Sequence, residues 1–229
     1  MIGLKKSSEI SKNMGETMVL DKQRENVDPV LFTIAKRFSS VDPNTLTWLS
    51  VLFAFIAGIF FYFSSPKLEL VNYYLFGAVL FVFLNGLFDA IDGKVAKLAN
   101  KTSKRGDFLD HALDRYADVL MLGGLALSAW CDIRIGMLAI IGMLLTSYMG
   151  TQAQAVGYKR EYSGLLGRAD RIVILMIAPI VQHLLLRYPL QLPLGFSLLE
   201  WVLIYFAIVG NITALQRFYS TLRWFKRKK

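Results

Sequence analysis

The chain has 229 residues, of which 55% are apolar in type and 19% charged, with a formal net charge of +9. A soluble domain of this length carries about 45–50% apolar and about 25% charged residues, so the surplus points to lipid as part of the solvent. The same figures exclude a disordered chain and a collagen-like repeat, and Cys131, the lone cysteine, excludes an internal disulfide scaffold.

In chain order, the N-terminal 26 residues are polar and mixed in charge, with no apolar run like a signal peptide. Asp28-Pro29, followed by Val30, Leu31, Ile34, Ala35 and Phe38, predicts an N-capped amphipathic helix resting in the membrane interface. Asp42-Pro43 repeats the cap-then-proline pattern and opens the first of six apolar runs, at 44–65, 70–92, 108–131, 134–157, 170–187 and 195–216. Each is long enough for a helix to cross a bilayer, which needs roughly 20 residues. Pro179 predicts a kink in the fifth. The expected architecture is thus an all-α integral membrane protein. Residues 1–40 form an N-terminal cytoplasmic segment with an interfacial helix, and residues 41–229 form a six-helix membrane domain.

The basic residues set the orientation. They crowd the N-terminal segment, the second-to-third connection (Lys94, Lys97, Lys101, Lys104, Arg105), the fourth-to-fifth connection (Lys159, Arg160, Arg168, Arg171) and the C-terminus. The opposite connections hold only Lys67, Arg134 and Arg187. Excess Lys and Arg marks the cytoplasmic side, so both termini and both rich connections are expected there. The positive charge is then a topology signal, and a nucleic-acid partner is not expected.

Six of the 17 acidic residues fall between positions 89 and 118: Asp89, Asp92, Asp107, Asp110, Asp114 and Asp118. Ionisable groups in or beside membrane spans are costly and usually face a polar interior. Asp89 and Asp92 are three apart at the end of the second span. Asp110 and Asp114 are four apart at the start of the third, so each pair shares a helix face. A turn through Gly93–Gly106 would bring the two faces together. Four converging carboxylates need neutralising, either by hard divalent cations or by salt bridges to Lys94, Lys97, Arg105 and Arg115.

Asp89-x-x-Asp92-Gly93-x-x-Ala96-Lys97, eight residues, then Gly106-x-x-x-Asp110-x-x-x-Asp114, resembles the signature of the CDP-alcohol phosphotransferase family. Lys97 stands where the family has Arg. The resemblance implies transfer of a substituted phosphate from a CDP-linked lipid to an acceptor hydroxyl, with release of CMP. It implies two divalent ions, Mg²⁺ or Mn²⁺, one on Asp89, Asp92 and Asp110 and the other on Asp89, Asp110 and Asp114. Asp114 would also be the catalytic base. Gly93, Lys97 and Ser103, with Asn44 and Thr47 at the entry to the first span, would contact the CDP-alcohol. A homodimer is expected from the family.

Gly164-Leu165-Leu166-Gly167-Arg168-Ala169-Asp170-Arg171 resembles the acceptor region of members that use inositol phosphate. Arg168 and Arg171, with Lys159 and Arg160 upstream, suit a phosphate dianion near a helix N-terminus. Gly150 and Gln152 occupy places where those members carry basic residues, which leaves glycerol phosphate, inositol or another polyol open. Two further readings of the Asp cluster are an intramembrane prenyltransferase and a divalent-cation transporter. The first would carry a second, separate Asp motif, and the second a midplane site with repeated halves.

Overall fold

Long apolar runs satisfy their backbone hydrogen bonds within themselves, as a lipid environment demands, and here they do so as helices, Pro179 included within one of them. The computed structural model describes residues 24–67, 72–158, 164–188 and 192–228. Among them are seven α-helices and no strand: α1 (Arg24–Arg37), α2 (Pro43–Phe63), α3 (Tyr73–Leu98), α4 (Lys104–Ala126), α5 (Ile133–Ala155), α6 (Arg168–Arg187) and α7 (Leu198–Lys228). A 3₁₀ turn, Pro193–Gly195, precedes α7. Five helices, α2, α3, α5, α6 and α7, are long and apolar enough to cross a membrane. The protein is an all-α integral membrane protein.

Four details depart from the sequence expectation. The third expected span corresponds to α4, which has the length to cross but not the composition. Lys104, Arg105, Asp107, Asp110, Asp114, Arg115 and Asp118 crowd its first fifteen residues. Helix α1 begins at Arg24, so Asp28 does not cap it. Asp28 instead accepts a hydrogen bond from Lys94 Nζ of α3 at 2.7 Å. Much of the apolar face of α1 is turned inward: Ala35 is fully buried, and Leu31, Ile34 and Phe38 pack with it against Ile91 and Val95 of α3 and Leu46 of α2. Finally, α7 runs to Lys228, well past the expected end at 216. An apolar run measures what lipid covers, whereas the helix itself continues into water.

Helix α2 packs along both α3 and α4, α5 along α7, and α3 against α6. The α2–α4 crossing is close because both helices present glycine there. A Cβ added to Gly124 would lie 2.1 Å from the Gly58 carbonyl oxygen, and one added to Gly58 would lie 2.4 Å from Leu120 O. Backbones approach this closely in membranes only through such small residues. Helices α3 and α4, by contrast, barely touch. Both lean on α2, and the gap left between them at one end of the bundle holds the acidic residues. The apolar core of Phe61, Leu75, Val82, Met121, Leu125 and Phe206 fills the rest.

Candidate active site

Helical spacing aims the four carboxylates into the α3–α4 gap. Ligand oxygens of Asp89, Asp92 and Asp110 lie within 4.8 Å of one another, as do those of Asp110 and Asp114 with His111. Asp92 is buried and fixed by its neighbours: Thr47 Oγ1 donates to its Oδ2 at 2.7 Å, and the Gly93 amide donates to its Oδ1. Asp89 Oδ1 is buried without a hydrogen-bond partner among the described residues. His111 lies between Asp107 and Asp110, 3.2 Å from the one and 3.4 Å from the other. The oxygen-only set of Asp89, Asp92 and Asp110, with its orphaned buried oxygen, fits a hard divalent cation.

Helix α6 closes the site from the third side. Its N-terminus is held by Asp170 Oδ2, which accepts from the Gly167 amide at 2.9 Å. The preceding loop is pinned to α7, where the Leu165 amide donates to Thr213 Oγ1 at 3.3 Å. Gly164 has a φ of +142°, and a Cβ there would meet Thr213 Cγ2 at 2.2 Å, so only glycine allows this seating. Arg168 is thereby delivered into the acidic gap. Its Nη1 pairs with Asp89 Oδ2 and, at 2.7 Å, with Asp114 Oδ1. Arg115 Nη2 reaches Asp114 Oδ2 at 3.3 Å, and Arg171 Nη2 reaches Asp118 Oδ2 at 3.1 Å.

The expected salt-bridge partners near in sequence are therefore mostly elsewhere. Lys94 bonds Asp28, and only Arg115 of that group is found on a site carboxylate among the described residues. The principal cation is Arg168, whose distance in sequence from Asp89 hid the pairing. Several guanidinium nitrogens remain buried without a hydrogen-bond partner among the described residues: Arg168 Nε and Nη2, Arg171 Nε and Arg115 Nε. Lys159 and Arg160 lie outside the described residues.

A cavity of about 230 Å³ opens beside the acidic gap. Asn44, Thr47, Gly93, Lys97 and Ser103 all line it, together with Asp92 and Asp110. A Cβ on Gly93 would meet nothing within 4 Å, so this glycine leaves room at the cavity wall. Ser103 has a second task as N-cap of α4, accepting from the Gly106 amide at 3.0 Å. Asp107 also lines the cavity, a neighbour that the motif does not include. A larger cavity, about 780 Å³, opens at the opposite end of the bundle by Pro66, Trp130 and Gln182, away from all four carboxylates.

A family model described as CDP-alcohol phosphatidyltransferase matches residues 41–213. The chain belongs to this family. It is accordingly a transferase of phospholipid biosynthesis, and the prenyltransferase and cation-transporter readings fall away. The archaetidylinositol phosphate synthase of Pyrococcus horikoshii is 31% identical over 204 residues, covering 88% of this chain and 96% of the relative. The phosphatidylinositol phosphate synthase of Streptomyces avermitilis is 29% identical over 80% of this chain and 72% of its own. Among solved structures, the Mycobacterium tuberculosis phosphatidylinositol phosphate synthase with CDP-DAG bound superposes with a TM-score of 0.65. It is 21% identical and covers 84% of this chain and 94% of its own, which establishes a shared fold. The same enzyme in complex with manganese and citrate also gives 0.65.

Proposed function

We propose that the protein transfers the lipid-bearing phosphate of a CDP-linked diradylglycerol to a hydroxyl of inositol phosphate and releases CMP. The observation that carries this acceptor is the set of buried, unpartnered guanidinium nitrogens on Arg168 and Arg171 beside the carboxylates. Buried donors of this kind call for an acceptor, and a planar guanidinium matches a phosphate in two-point contact. Two relatives, named as an archaetidylinositol phosphate synthase and a phosphatidylinositol phosphate synthase, support the same acceptor.

In this reading Asp89, Asp92 and Asp110 hold one divalent ion, and Asp89, Asp110 and Asp114 a second, with Mg²⁺ or Mn²⁺ as the ions. When bound, such ions screen the diphosphate and polarise its phosphorus–oxygen bonds. Asp114 takes the proton of the acceptor hydroxyl. The freed oxygen attacks the lipid-side phosphorus, the bond from that phosphorus to the bridging oxygen breaks, and its electron pair leaves with CMP. Asn44, Thr47, Gly93, Lys97 and Ser103 receive the CDP portion in the 230 Å³ cavity. Arg168 and Arg171 hold the acceptor's phosphate, aided by Lys159 and Arg160, which precede α6 in the sequence.

The membrane arrangement belongs to the same proposal. Helix α4 is the sixth span, packed along α2. Residues 1–40 form a cytoplasmic N-terminal segment whose helix α1 lies at the interface, and residues 41–229 form the membrane domain. Both termini and the active site face the cytoplasm, by the distribution of Lys and Arg. The protein works as a homodimer.

The acceptor assignment is tested by Arg168→Ala and Arg171→Ala. Each is expected to raise the KM for inositol phosphate about tenfold or more, with a much smaller change in the KM for CDP-lipid. An unchanged acceptor KM, with only the yield of folded protein reduced, would make these arginines membrane anchors and refute the acceptor site.

A further inference from the structure

Asp118 lies one helical turn beyond Asp114, outside the family motif, and is 3% exposed. Three arginines gather around this one carboxylate. Arg171 Nη2 is 3.1 Å from its Oδ2, Arg168 Nε is 3.9 Å from its Oδ1, and Arg115 Nε is 4.0 Å from its Oδ2. Arg171 is itself 5% exposed. Helices α4 and α6 make few backbone contacts, and the pairs of Asp118 with Arg168 and Arg171 join them alongside the Arg168–Asp114 pair.

We infer that Asp118 is a positioning residue for the acceptor: it fixes the guanidinium planes of Arg168 and Arg171 so that both can meet one phosphate group. This rests on the proposed acceptor reading and deepens it. The charges explain why a fifth carboxylate is needed. Asp89 and Asp114 currently share Arg168 Nη1, yet both are wanted by divalent cations. A cation on those oxygens releases Arg168, and Asp118 is then the anion left to hold it. The four motif carboxylates balance two divalent ions. Asp118 against Arg115, Arg168 and Arg171 leaves an excess of two positive charges, the complement of a phosphate monoester dianion. Arg168 Nη2, Arg168 Nε and Arg171 Nε, which have no hydrogen-bond partner among the described residues, are the donors offered to that dianion, with Arg168 Nε still 3.9 Å from Asp118.

The decisive contrast is between charge and position. Asp118→Asn preserves volume and adds one net positive charge to the site. If charge alone attracts the acceptor, inositol phosphate binds more tightly; if position governs, it binds more weakly. The measurement is calorimetric titration of the purified protein with inositol phosphate in Mg²⁺ without CDP-lipid, together with steady-state kinetics. For Asp118→Asn the expected result is acceptor Kd and KM raised about tenfold, with kcat and the KM for CDP-lipid within about threefold. Asp118→Glu returns the carboxylate on a longer arm and is expected to recover part of that loss, a rescue that a merely structural role would not give. In a double-mutant cycle, adding Asp118→Asn to Arg171→Ala is expected to cost less than Asp118→Asn alone, with the remaining loss falling on Arg168. Tighter or unchanged acceptor binding in Asp118→Asn, or losses that fall equally on both substrates, would overturn the inference. If Arg171→Ala alone leaves acceptor binding unchanged, the acceptor reading itself fails. If Arg171→Ala weakens binding and Asp118→Asn does not, only the role of Asp118 fails. Should the Asn variant not accumulate, the Glu variant carries the same test through its acceptor-specific loss.

Discussion

Asp114 is gripped from two sides, by Arg168 Nη1 at its Oδ1 and by Arg115 Nη2 at its Oδ2. It is 8% exposed, so its charge is supported by partners rather than by water. As the proposed base and a proposed metal ligand, it is the residue whose loss should be least tolerated. Asp114→Asn keeps the shape and removes the charge. It is expected to lower kcat by about a thousandfold or more while retaining much of the CDP-lipid binding, read by single-turnover CMP release and by equilibrium binding of the nucleotide lipid. Turnover near that of the unaltered protein would remove Asp114 from the mechanism. Lys94–Asp28 is a different kind of pair. Asp28 is half exposed, and such pairs contribute at most about 1 kcal/mol.

The elements matter through how closely they approach. Helix α4 is set against α2 at the Gly58–Gly124 crossing, where either Cβ would enter the opposing backbone. Gly124→Val would drive a branched side chain into the Gly58 carbonyl, which cannot swing aside as a side chain can. The expected cost is about 2–3 kcal/mol, read as a lower melting temperature in detergent. A displaced α4 would also carry Asp110 and Asp114 away from Asp89 and Asp92. An unchanged melting temperature would show that the crossing yields. At this scale the sequence was most informative where one period governs the whole run. The centres of α2, α3, α5, α6 and α7 were legible as apolar stretches, and the i,i+3 and i,i+4 carboxylates were legible as shared faces. The start of α1 and the far end of α7 were not, because the helix runs on through polar and charged residues that carry no apolar period. Nor was the partner of Asp89 legible: Arg168 is brought to it by the α3–α6 packing and the Thr213-pinned loop, neither of which leaves a local pattern. Asp118 was visible as one turn past Asp114 with Arg115 able to reach either, but Arg168 and Arg171 at Asp118 were not, since both come from α6.

For the molecule as a whole, the placement of the site matches the physical problem posed by the proposed substrates. One is a lipid that stays in the bilayer, and the other, in the proposed reading, is a water-soluble phosphate ester. The gap between α3 and α4 lies at the end of the bundle, and its cavity is walled by the entry to α2 and the turn between α3 and α4. Outward-facing Trp48, Leu52, Phe55 and Ile59 on α2 leave apolar surface for lipid. The most direct measurement of the central claim is CMP release by the purified protein in lipid with a CDP-diradylglycerol. Inositol phosphate, glycerol phosphate, inositol and serine would be compared, with and without a chelator. The account predicts CMP release with inositol phosphate above the others, abolished by the chelator and restored by Mg²⁺ or Mn²⁺. Equal release with unphosphorylated inositol, or release that persists in the chelator, would contradict it.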